Sequence, residues 1–129
     1  MPYLELLKYL SKMDINIAPL ELNNPFTAGK SELKIFEAAL VKVPSVVSPV
    51  DSYAKCITNK INGFLAKNTE EWVDYLSLLI EDKNIREKVG NQAYNDFVKM
   101  FYIKNNIKNI LSVYSGFIKN KQNDKQRRN

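Results

Sequence analysis

The sequence predicts an α/β fold, a parallel sheet whose strands are joined by crossover helices. Apolar spacing alternates along the chain between the strand period of two and the helix period near 3.6, so that strands and helices follow one another in turn. Pro19, Pro44, Pro49 and Gly63 punctuate the changes. Strands separated by helical segments rather than tight turns pair in parallel.

Tyr3 to Met13 places Leu4, Leu7 and Leu10 at helical spacing. Asp14 to Ala18 alternates as a short strand that Pro19 ends, and a loop follows from Leu20 to Lys30. Ser31 is the expected N-cap of a helix running to about Val43. Ser45-Val46-Val47-Ser48, between two prolines, has the β-branched content of a buried strand. Asp51 to Ile57 is expected to be a short helix. Asn62-Gly63 then turns the chain into a third strand, Phe64-Leu65-Ala66. Asn68 and Glu71 have the spacing of a capping box and open a helix with a stripe of Trp72, Tyr75, Leu76, Leu79 and Ile80. Ile85, Val89, Ala93 and Phe97 continue at helical spacing, as do Ile103, Ile107, Ile110, Leu111 and Tyr114. Three strands make a thin sheet and the chain opens in a helix, so the expectation is part of a larger doubly wound domain. The expected organisation is one such domain over 1–118 and a basic disordered tail over 119–129.

With 129 residues, 45% hydrophobic and 26% charged, the chain has the profile of one globular domain. The single Cys56 excludes an internal disulfide, and with no His anywhere it has no imidazole to activate it. No metal-ligand spacing is present. No apolar run approaches the ~20 residues of a membrane span, and the N-terminal segment is amphipathic rather than signal-like. These features point to the cytoplasm. The net charge of +5 is local, since the tail from Lys119 to Arg128 carries +4 of it and leaves +1 for the body. A basic tail on a neutral body is read as solubilising, with attraction to an anionic membrane surface as the alternative. No nucleic-acid recognition motif accompanies it.

Gly29-Lys30-Ser31 carries the closing letters of a phosphate-binding P-loop, yet the first glycine of that pattern is Asn24 here. Pro25 lacks an amide to donate, and the strand ends well before the loop, so a P-loop is not expected. An anion site of another kind is. The loop leaves the carboxyl end of a parallel strand, where open α/β sheets bind ligands. It enters a helix whose first amides, near Ser31, Glu32 and Leu33, lack intrahelical acceptors, with Lys30 and Lys34 beside that positive end. On the helical wheel Leu33, Phe36, Leu40 and Val43 form the apolar face, with Glu37 at its edge. Glu37 could accept hydrogen bonds from vicinal hydroxyls, or pair with Lys34 on a solvated face. The spacing leaves both open.

DINIAPL, KSELKIFEAALVKVPSVVSPV, Tyr53, INGFLAKNTEEW and then Leu78-Leu79, Asp82, Arg86, Gly90 and Ala93 resemble, in that order, the C-terminal domain of group 1 glycosyltransferases of the GT-B fold. The resemblance covers about residues 14 to 115. It implies a Rossmann-like domain, present in part, that binds a nucleotide-diphosphate sugar without metal or cofactor. The helix-start amides near Ser31, Glu32 and Leu33 would hold the diphosphate, flanked by Lys30 and Lys34, and Glu37 the ribose hydroxyls. The family's second Glu, eight residues earlier, is Gly29 here. Catalytic residues are not assigned. The resemblance also implies an N-terminal acceptor-binding domain as partner, with no transfer by this chain alone. Apolar surface that such a partner covers could support self-association. The alternative reading is a non-catalytic α/β interaction module without donor binding.

Overall fold

The computed structural model describes residues 3–102. The expected helix over 103–114 and the basic tail over 119–129 lie outside them. The elements run α1 (Tyr3–Leu10), β1 (Asn16–Ala18), α2 (Pro25–Ala28), α3 (Leu33–Leu40), β2 (Ser45–Val47), α4 (Asp51–Cys56), β3 (Phe64–Leu65), α5 (Thr69–Glu81) and α6 (Lys83–Phe101). The strands form one parallel sheet in the order β1-β2-β3. Ile17 pairs with Val46 and Val46 with Phe64, so these three side chains share one face. The α/β class and its crossover connectivity are those the sequence predicts.

Two layers of side chains clothe the sheet. On one face Val46, Phe64 and Ala66 pack with Tyr75 and Leu79 of α5 and Val89 of α6. Phe64 and Tyr75 meet ring to ring, with centroids 5.1 Å apart. Burying a side chain such as Phe64 or Leu79 contributes about 2–3 kcal/mol, so this cluster holds α5 and α6 firmly to the sheet. On the other face α3 packs over β1 and β2 through Ile35, Ala38 and Ala39, all buried. Asn16 and Ser45 lie beneath it, paired by a 2.9 Å hydrogen bond from Asn16 Nδ2 to Ser45 Oγ.

Local chemistry explains the boundaries. Asn68 Oδ1 accepts from the Glu71 amide at 2.9 Å, and Glu71 Oε2 accepts from the Lys67 amide at 2.8 Å. The expected capping box is thus present, with its return bond displaced by one residue. Helix α3 ends in a Schellman arrangement: the Val43 amide donates to the Ala38 carbonyl and the Lys42 amide to that of Ala39. Lys42 takes the left-handed position at φ 61°. Arg86 Nη1 donates to the Leu79 and Ile80 carbonyls at 2.6 and 3.0 Å, satisfying the end of α5. Where α6 crosses the Lys42 turn, Gly90 is required: a Cβ there would stand 2.8 Å from the Lys42 carbonyl carbon and nearer still to its oxygen.

Three expectations need correction. Ser31 is not the N-cap of α3. Glu32 is, in right-handed helical geometry and without a side-chain capping bond. The predicted loop from Leu20 to Lys30 contains that turn, with Asn24 Oδ1 accepting from the Phe26 amide and Pro25 at its first position. Finally, α3 ends at Leu40 rather than Val43, and Leu33 is 53% exposed while Ile35, Ala38 and Ala39 are buried. Small alanines let the helix approach the sheet closely, so they rather than the bulkier residues set its inward face. The compact unit that holds the sheet ends at Val98, within α6.

Candidate functional site

A groove of about 570 Å³ opens at the carboxyl end of β1 and runs between α1 and α3. Leu6 and Leu10 of α1, Asn16 and Ala18 of β1 and the Pro19-Leu20 turn form one side. Lys30, Ser31, Leu33, Lys34 and Glu37 form the other, and Tyr53 of α4 completes it. Five of the six residues singled out from the sequence thus meet in one cavity. Glu32 does not line it. Its charge acts instead on Cys56, whose thiol is pushed up first by burial and then by Glu32, with Lys55 opposing. That leaves Cys56 less ionised than an ordinary cysteine, in keeping with a passive residue.

The rim is held in place before any ligand arrives. The Leu20 amide donates to Ser48 Oγ at 2.8 Å, tying the exit of β1 to that of β2. Thr27 Oγ1 donates to the Asn24 carbonyl at 2.8 Å and also to the Glu21 carbonyl, which folds the loop on itself. Lys30 Nζ stands 4.3 Å above the Phe26 ring, a cation–π contact at the mouth of the groove. Residues 25–28 are helical and Gly29 has φ −85°, so Gly29-Lys30-Ser31 follows a helical turn and builds no phosphate-wrapping loop.

Helix α3 presents its N-terminus to this groove. Among the described residues no backbone acceptor pairs with the amides of Ser31, Glu32, Leu33 or Lys34. These are orphan donors at the positive end of the helix dipole. Glu37, one turn in, is half-buried. It forms no ion pair with Lys34, the described ion pairs being Lys83–Glu87 and Arg86–Asp14. The surface-pair alternative for Glu37 is therefore not what the structure contains.

Tyr53, Leu6, Leu10 and Leu20 are lining residues that the sequence did not assign to the site. A signal existed for Tyr53: it lies just past the carboxyl end of the second parallel strand, the edge at which such sheets collect ligands. A larger cavity, about 650 Å³, lies between β3, α5 and α6, with Lys60, Asp74, Lys88 and Gln92 around an apolar floor. No group of His, Cys, Asp and Glu among the described residues has the arrangement of a metal site. None of the described helices is long and apolar enough to cross a membrane.

The family model for glycosyl transferases group 1 matches residues 1–82. The chain belongs to the group 1 glycosyltransferases. Among solved structures, the C-terminal domain of a glycosyl transferase group 1 family protein (LpcC) from Francisella tularensis matches with a TM-score of 0.58 and 24% identity. The match covers 78% of this chain and 49% of that one, so this group 1 glycosyltransferase chain spans about half the length of that domain. The likeness establishes the fold. No curated protein sequence matches the chain.

Membership gives meaning to the residues that carried the resemblance, and they divide into two sets. Asn62, Arg86, Gly90 and Ala93 build the fold. Asn62 Oδ1 accepts from the Thr58 amide at 2.8 Å and its Nδ2 donates to Asp96 Oδ2 at 3.0 Å, while Ala93 is buried. Glu37 and the start of α3 face the groove.

Proposed function

We propose that the groove is the nucleotide-sugar donor site of a group 1 glycosyltransferase that transfers the sugar to a saccharide or other acceptor, as in polysaccharide assembly. One observation carries the reading: the orphan amides at the start of α3 and the unpaired Glu37 line one cavity at the carboxyl end of a parallel strand. The amides from Ser31 to Lys34 would receive the diphosphate, with Lys30 and Lys34 supplying positive charge that is unfavourable at a helix start unless an anion is bound. Glu37 would accept two hydrogen bonds from the ribose diol. Such preorganised donors also stabilise the charge that develops on the diphosphate as the glycosyl bond breaks. The acceptor would be presented by an N-terminal domain at the cytoplasmic side of a membrane, and this chain alone would bind donor without transferring sugar.

Calorimetric titration of the chain with UDP, GDP and their sugars tests the reading. Binding is expected, weakened by Glu37→Ala about tenfold, as for loss of hydrogen bonds to a charged group. No binding by any of them, or binding indifferent to Glu37→Ala, overturns it. A non-catalytic interaction module is the competing reading, and Gly29 favours it, since the family's second Glu is missing there. The backbone does not demand glycine: φ is −85° and a Cβ would meet only the Phe26 carbonyl oxygen, at 3.7 Å. The same titration separates the two, because a module of that kind takes up no nucleotide.

A further inference from the structure

We infer that Tyr53 is a ligand-contacting residue of the groove, its phenol hydroxyl hydrogen-bonding an oxygen of the bound nucleotide. The inference rests on the groove being the donor site. Tyr53 is only 3% exposed, yet it lines the groove. Among the described residues its hydroxyl has no hydrogen-bond partner, and Tyr53 is bonded there through its backbone alone. Among the described residues the buried side-chain polar atom left without a partner is Ser52 Oγ, so the Tyr53 oxygen is not sealed in the core. The ring is packed, and we take the oxygen that escapes burial to be the part of Tyr53 that meets the groove it lines.

Packing does not explain that oxygen. A phenylalanine would fill the same volume and shed a polar group that costs about 1–3 kcal/mol when desolvated without a partner. A hydroxyl at the end of a buried ring is suited to a ligand that brings its own acceptor. Burial raises the phenol above its ordinary value, so it stays protonated and can donate. The topology also places it well. Lys30, Ser31 and Glu37 follow the carboxyl end of β1, whereas Tyr53 follows that of β2. A ligand held between them is gripped from two successive strands, as open α/β sheets hold their ligands.

The test is calorimetry on wild-type chain, Tyr53→Phe and Glu37→Ala with UDP and GDP, each beside its free nucleoside. Tyr53→Phe is expected to leave the melting temperature nearly unchanged and to weaken nucleotide binding about three- to tenfold, the loss of one neutral hydrogen bond. A loss shared by the nucleoside puts the contact on the nucleoside; a loss confined to the diphosphate puts it there. Wild-type affinity in Tyr53→Phe, with Glu37→Ala weakened, overturns the role of Tyr53 and leaves the donor site standing. No nucleotide binding by wild type overturns both. An independent measurement on the wild-type chain is the Tyr53 phenol carbon resonance by NMR. It should move on nucleotide saturation, and a resonance that stays still refutes the contact whatever the variant does.

Discussion

Gly90 is the position where a single atom decides whether the layers fit. In an exposed helix interior, replacing glycine by alanine stabilises by about 1 kcal/mol. Here the new Cβ would meet the Lys42 carbonyl, which is backbone and cannot swing aside. Overpacking of that kind costs about 1–3 kcal/mol, so the clash outweighs the propensity. Gly90→Ala is expected to lower the midpoint of denaturant unfolding, and a raised midpoint would show that α6 can lift off the turn. In the sequence Gly90 was visible only as a familiar letter in a helix, because its partner lies 48 positions earlier in the chain. Glu37 was more legible, since its place on the wheel and its closeness to a helix start are both local. Tyr53 was legible only by its place just past the second strand; nothing in its own neighbourhood says that its ring is buried against the groove.

At the scale of elements, the long helices were the easiest to read and their starts were chemical. Asn68 caps α5 by accepting from the Glu71 amide, and its removal leaves an orphan donor. Asn68→Ala is expected to cost about 1 kcal/mol of stability, measurable by chemical denaturation; a change below a few tenths would mean that the Glu71–Lys67 bond holds the helix start unaided. The α5 stripe was read correctly at Tyr75 and Leu79 but extended too far, since Ile80 is 68% exposed. Helix α3 was placed correctly but its face was misjudged at Leu33, which is exposed, while Val43 is buried as expected. Its inward face was chosen from the wheel position of the large apolar residues, whereas contact with a sheet depends on how near the backbones come. Ala38 and Ala39 permit that approach. The start of α3 was misread for a different reason: capping rules look for a hydroxyl or amide side chain, and here Glu32 begins the helix in helical geometry with no side-chain capping bond.

On the scale of the whole molecule, the order of elements was enough for the parallel sheet, because helices between strands leave little other choice. What the order could not show is that the carboxyl ends of β1 and β2 converge on one groove, which depends on the register that pairs Ile17 with Val46. The same register has a consequence for β1. The Asn16 amide donates to the Pro44 carbonyl and the Ala18 carbonyl accepts from the Ser48 amide, so both residues turn their backbone toward β2. Ile17 between them turns its backbone away, along an edge where no other described strand lies, with its side chain 47% exposed. Amide hydrogen exchange followed by NMR should therefore alternate along three consecutive residues: slow at Asn16, fast at Ile17, slow at Ala18. Whatever lays a strand against that edge would slow Ile17 and leave its two neighbours as they were, making one amide proton a clock for whether the sheet stands alone.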